Sequence, residues 1–183
     1  MIDNDGSNND DSTEKNYVIA FSGSHGVGKT TAVFKKAYEL KMQYKTKRIG
    51  IADEATYGCP YPINKGMSVF SQLWMFTKHI NKELTLLSQY DIVIADRTVV
   101  DIIAYTKWAG LSELSEEMIA IIHHHIKIYK KIHFKRIENN DFFINDNHRD
   151  SEDFIYRKEI EDILLNLYDR FGLLKDDNIM TFE

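Results

Sequence analysis

Residues 23 to 30, Gly23-Ser24-His25-Gly26-Val27-Gly28-Lys29-Thr30, set glycines, a lysine and a hydroxyl in the order G-x-x-x-x-G-K-[ST] without a gap. Each residue type has a chemical reason. Glycines let the backbone curl until its N–H groups converge on phosphate oxygens. A helix that follows such a loop aims the positive end of its dipole at the same anion. Lys29 then reaches the β- and γ-phosphates of a nucleoside triphosphate, the Thr30 hydroxyl holds Mg²⁺, and Thr31 completes the nucleotide-contacting set. The expected ligands are ATP and Mg²⁺. His25 and Val27 fill variable loop positions, so the His25 side chain reads as a bystander in a cradle made by the backbone.

Two further segments carry charge at places where chemistry is expected. In "YDIVIADRT" an apolar run ends on Asp96 and Arg97. A strand-terminal aspartate beside a phosphate loop can hold Mg²⁺ directly or through water. The arginine can stabilise charge on a phosphoryl group in transfer. The plainer reading of Asp96 is a cap on the next helix. In "IADEATYG" the acids Asp53 and Glu54 follow another apolar run. Ligands of open α/β sheets bind past the carboxyl ends of strands. Both acids, Asp53 and Glu54, therefore read as acceptor-facing, where a carboxylate can orient or deprotonate a hydroxyl.

The elements that must hold these groups follow from pattern. "YVIAFS" (17–22), "RIGIA" (48–52), "DIVIA" (91–95), "KIHFKR" (131–136) and "NIMTF" (178–182) read as strands. Helices are expected over 30–44, 68–88, 99–108, 116–129 and a last stretch ending near Phe171, with Gly172 as its stop. In the second helix Phe70, Leu73, Trp74 and Phe76 read as core. Alternation of strand and helix predicts an α/β phosphate-loop fold, a parallel five-stranded sheet with helices on both faces. His123, His124 and His125 cannot converge on one ion from consecutive helical positions and read as solvated helix surface.

Composition bounds the rest. The chain has 183 residues, 43% hydrophobic and 28% charged, with a net charge of −5. That suits one compact domain. Residues 1–16 carry five acids against Lys15 and almost no apolar groups, so they read as a disordered acidic tail before a domain over 17–183. The remaining charge is nearly balanced, which argues against a nucleic-acid partner. No apolar run reaches the length of a membrane span. With no secretory signal pattern and a single cysteine, Cys59, the expected setting is the cytoplasm. Monomer and homodimer are both compatible with the sequence.

A GTPase would show an Asn-Lys-x-Asp segment, but Asn64-Lys65-Gly66-Met67 lacks the aspartate and comes too early. A DxxG switch is absent as well, and the chain is short for a hexameric motor. Four pieces in order, "GSHGVGKTT", "ADEATYG", "DRTVVDIIAYTKW" and "NHRDSEDFIYRKEIEDIL", resemble the small NadR-like AAA/ATPase domains within the nucleoside and nucleotide kinase group. The Asp96, Arg97, Asp101, Tyr105 spacing carries part of that resemblance. The resemblance implies a helical lid over about 138–158, with Arg149 and Arg157 closing on the phosphates. It also implies Glu54 as the acid that activates an acceptor hydroxyl and Gln72 as the amide that reads the acceptor's base. Tyr57, Tyr61 and Phe70 are candidates to stack on a flat ring. The lid departs from the family pattern, with Asn145-Asp146-Asn147-His148 where a glycine usually sits beside the aspartate.

These readings converge on phosphoryl transfer from ATP to a nucleoside, nucleotide or nicotinamide riboside, a P-loop kinase. The alternative is a regulatory protein whose nucleotide state controls a protein or nucleic-acid partner.

Overall fold

The computed structural model describes residues 16–63, 66–137, 154–177 and 179–183. The acidic tail up to residue 15 and most of the expected lid, including Arg149, lie outside the described residues.

Five parallel strands form one sheet in the order β2-β3-β1-β4-β5: β1 Tyr17–Ser22, β2 Ile49–Ala52, β3 Ile92–Asp96, β4 Tyr129–Phe134 and β5 Met180–Phe182. The expected parallel α/β sheet is therefore present. β1 and β3 lie side by side at its centre, with Ala20 opposite Ala95 and Phe21 opposite Asp96. That register puts the end of β3 level with the start of the phosphate loop.

Alternation along the central strands divides the core in two. Ile19, Phe21, Ile92 and Ile94 face α1 (Lys29–Gln43) and bury its Val33 and Leu40. Val18, Ala20, Val93 and Ala95 face the opposite way, into the larger core with α2 (Val69–Leu87), α3 (Val99–Trp108), α4 (Ser112–Ile122) and α5 (Phe154–Arg170). Strands buried on both faces read as unbroken apolar runs, which is why β3 was the plainest strand in the sequence.

Local chemistry fixes the helix starts. Ser68 and Ser71 form a reciprocal capping box at α2, with the Ser68 amide donating to Ser71 Oγ at 2.8 Å. At α3 the Asp101 carboxylate accepts from the Thr98 amide and hydroxyl, each at 2.8 Å.

Two expectations change. The helix foreseen over 116–129 ends at Ile122, a 3₁₀ turn spans His125–Ile128, and β4 begins at Tyr129. The sheet takes Tyr129 as the partner of Val18, so the chain has to leave the helix before it. His123 and His124 are exposed, as expected, but His125 turns inward and its Nε2 lies 2.6 Å from Glu83 Oε2. The phase of α2 is also rotated. Phe70 and Leu73 are exposed, Trp74 is half-buried, and Gln72, His79 and Glu83 join Met75 and Phe76 inside. Buried partners for these polar groups on α3, β4 and the 3₁₀ turn account for the rotation.

Candidate active site

The loop between β1 and α1 bends as a phosphate cradle requires. Gly23 has φ +136°, and a Cβ there would collide with the Lys135 carbonyl. Gly28 caps α1 in the left-handed region at φ +78°. Neither backbone suits a residue with a side chain. Lys29 is buried and its Nζ donates to the Ser24 carbonyl at 2.5 Å.

Thr30 and Asp96, 66 residues apart in the sequence, meet at the carboxyl end of β3, where Thr30 Oγ1 donates to Asp96 Oδ2 at 2.5 Å. Asp96 Oδ1 is buried without a hydrogen-bond partner among the described residues. A hydroxyl and a carboxylate side by side, with one carboxylate oxygen unsatisfied, are a hard-oxygen donor set that fits Mg²⁺. The capping role weighed for Asp96 falls instead to Thr98 and Asp101.

Arg97 adopts φ +86°, the one left-handed non-glycine backbone among the described residues. Such strain persists only where neighbours over-determine it. Here the Arg97 amide donates to the Phe21 carbonyl at 2.9 Å, tying the turn to β1. Its Nε donates to Glu54 Oε1 at 2.8 Å, and Nη1 lies 3.6 Å from Asp101 Oδ1. The guanidinium sits 5.1 Å from the centre of the Tyr105 ring. Burial draws the Arg97 pKa down, but Tyr105, Asp101 and Asp96 outweigh it and hold it above the ordinary value. The site therefore keeps a fixed positive charge in a low-dielectric setting.

A cavity of about 440 Å³ opens beside the loop. Glu54, Arg97 and Gln72 line it, His25, Tyr105 and Tyr156 stand on the loop side, and Tyr57, Tyr61, Ile63 and Met67 close the outer side. Glu54 is 2% exposed, whereas Asp53 faces outward and pairs with Lys82 at 2.5 Å. Burial raises the Asp53 carboxyl, but Lys82 outweighs it and holds it below the ordinary value. Consecutive acids thus part company: Glu54 lines the cavity and Asp53 does not. Tyr57 and Tyr61 reach the cavity, while Phe70 stacks on Tyr61 at 5.9 Å without lining it.

His25 is more than the bystander expected from its loop position. It is 2% exposed, its Nδ1 lies 3.2 Å from the Tyr105 hydroxyl, and its ring packs 4.9 Å from that of Tyr156. Burial is the main cause of a raised Tyr105 pKa, so that hydroxyl keeps its proton. Arg157 of α5 is also buried, and its Nε donates to the His25 carbonyl at 3.1 Å. Asp101 completes the stitching: its Oδ1 accepts from the Gly23 amide at 3.2 Å. Loop and cavity share one hydrogen-bonded wall.

Tyr156, Met67 and Thr106 escaped the sequence reading. Tyr156 comes from the far end of the chain, and no spacing ties it to the loop. Met67 follows a turn with no local pattern. Thr106 lies behind Gln72 at helical spacing that signals only a buried face.

No protein-family model matches the sequence, and no curated protein matches it. Solved structures do. A thymidylate kinase from Ehrlichia chaffeensis superposes with a TM-score of 0.62 at 15% identity, covering 93% of each chain. A NadR protein in complex with NR superposes with a TM-score of 0.69 at 18% identity, covering 92% of this chain and 45% of that one. At such identities the likeness is one of fold alone, the parallel α/β architecture that the chain shares with a thymidylate kinase and a NadR protein. The chain spans less than half the length of the NadR protein. Among the described residues no helix is long and apolar enough to cross a membrane.

Proposed function

We propose that the chain is an ATP- and Mg²⁺-dependent kinase whose acceptor is a small hydroxyl- or phosphate-bearing molecule of the nucleoside class: a nucleoside, a nucleotide or nicotinamide riboside. The observation that carries this reading is the buried Glu54–Arg97 pair, set in a cavity that borders the phosphate loop through His25. A nucleotide-hydrolysing switch has no need of a second, ring-sized pocket with a carboxylate in its wall. The fold shared with a thymidylate kinase and with a NadR protein solved with NR supports the same acceptor class.

The roles follow from position. Backbone amides of residues 23–31 and Lys29 bind the triphosphate. Thr30 and Asp96 would hold Mg²⁺, which when bound screens charge between the β- and γ-phosphates. Glu54 orients the acceptor oxygen and takes its proton as that oxygen bonds to the γ-phosphorus and the bond to ADP breaks. Arg97 stands beside the developing charge. Gln72 faces the acceptor's ring, and Arg149 is proposed to close over the phosphates. Binding in a fixed geometry supplies much of the rate.

The test is Mg²⁺-ATP consumption against nucleosides, nucleoside monophosphates and nicotinamide riboside, with products identified by mass. One acceptor that gains a phosphate establishes the kinase. ATP binding with no acceptor phosphorylated would overturn it, and a nucleotide-dependent pull-down would then test the regulatory alternative.

A further inference from the structure

Gln72 is fully buried on α2 and lines the cavity, yet only one end of its amide has a partner. The Thr106 hydroxyl on α3 donates to Gln72 Oε1 at 2.9 Å, while Nε2 has none among the described residues. We infer that Thr106 is a positioning residue that fixes the orientation of the Gln72 amide and so determines which hydrogen-bonding edge of an acceptor ring the cavity takes. The inference rests on the kinase reading above, in which a ring-bearing acceptor occupies that cavity.

An amide is nearly symmetric in shape and opposite in chemistry at its two ends. Left alone, Gln72 would turn whichever end suits a ligand. Thr106 restricts it. The Thr106 hydroxyl has one proton and two oxygens within reach, Gln72 Oε1 at 2.9 Å and the Ile102 carbonyl at 2.8 Å. The Ile102 carbonyl lies one turn back in α3 and already accepts the Thr106 amide in the helix ladder. That carbonyl has a second lone pair and needs no further donor, whereas Gln72 Oε1 has no other donor among the described residues, so the hydroxyl proton is assigned to Gln72, where it caps the amide oxygen. Met118 Sδ, 3.7 Å from the hydroxyl, is a weak acceptor and does not compete.

With Oε1 held, both Nε2 hydrogens are left for the cavity. The preferred ring presents a carbonyl oxygen there, as uridine does at its 4-position, rather than an amine, as cytidine does. An amine would set donor against donor in a buried site, where unmet polar groups are costly. Sites built to hydrogen-bond one group reject its replacement more strongly than apolar pockets reject a change of size.

The experiment is calorimetric binding of uridine and of cytidine to the full chain, for wild type, Thr106→Ser and Thr106→Val. Wild type and Thr106→Ser, which keep the hydroxyl, are expected to favour uridine about tenfold or more. Thr106→Val keeps the shape but frees the amide, and the ratio is expected to fall within about threefold, with circular dichroism close to wild type and a melting temperature lower by several degrees for the amide oxygen left without its donor. A ratio unchanged in Thr106→Val, lost equally in Thr106→Ser, or absent in wild type would overturn the assignment, as would binding of neither nucleoside. Turnover with Mg²⁺-ATP is measured separately. A wild type that binds uridine selectively but phosphorylates nothing would sink the kinase reading and leave Thr106 standing.

Discussion

The phosphate loop and the cavity proposed to take the acceptor are joined at His25, yet they are built on different principles. The loop is contiguous: nine residues, 23 to 31, supply its backbone, its lysine and its hydroxyls. The cavity is assembled from the ends of β2 and β3, two helices and the start of α5, with residues from His25 to Tyr156. A phosphate needs a fixed array of amides, which one short segment can provide. A ring with its own pattern of donors and acceptors needs walls, and those come from wherever the fold brings them. Constraint is thus local at one end of the site and distributed at the other.

This contrast can be broken at either end. Lys29→Ala should lower phosphoryl transfer by about 10³-fold while the fold persists, because its positive charge has no substitute in the loop; single-turnover kinetics with melting curves would check both. Near-normal turnover would mean that the loop is not the working centre. Glu54→Gln should slow transfer by about 10²-fold and leave ATP affinity within about threefold, since the change is confined to the cavity. Parallel losses in both would deny that the two halves act separately.

A third effect concerns stability. Glu83 is buried, and burial alone would raise its carboxyl, but His79 and then His125 outweigh it and hold it at about 2. Its Oε2 also accepts from the Tyr129 hydroxyl at 3.1 Å, and that oxygen in turn accepts from the Val99 amide at the start of α3. A carboxyl with a depressed folded-state value stabilises the protein fully above the ordinary carboxylate range and loses that contribution as pH falls toward 2. Melting temperature should therefore drop between about pH 4.5 and pH 2, more steeply in wild type than in Glu83→Gln. Equal slopes would remove Glu83 from the support of α3. The smallest effect is expected of Asp53→Asn, about twofold or less in any kinetic constant, because its ion pair with Lys82 is exposed. A loss matching that of Glu54→Gln would erase the distinction between the two acids.

Legibility in the sequence follows the same division. The loop, the order of strands and helices and the Asp96–Arg97 strand end were readable because short-range periodicity and spacing encode them. The phase of α2 was not. Phe70 and Leu73 carry the larger apolar side chains, yet Gln72 and Glu83 are the ones turned inward, by partners on α3 and β4 that no local window contains. His125 was misread for the same reason, since its partner Glu83 lies 42 residues away. By position alone Asp53 and Glu54 could not be told apart, because both lie just past the end of β2 and only tertiary packing turns one to the cavity and leaves the other to Lys82; it was the resemblance that singled out Glu54.

Trp108 packs on Tyr156 with ring centres 4.2 Å apart and the rings tilted at 45°, and Tyr156 in turn packs on His25 in the phosphate loop. The other tryptophan, Trp74, lies on the outer side of α2 with the Lys78 ammonium 4.4 Å over its ring. One indole is therefore two rings from the nucleotide cradle and the other looks away from it. With Trp74 replaced by phenylalanine, the emission of Trp108 is expected to report on the loop, and titration with Mg²⁺-ATP would show whether it follows the proposed occupancy without a label.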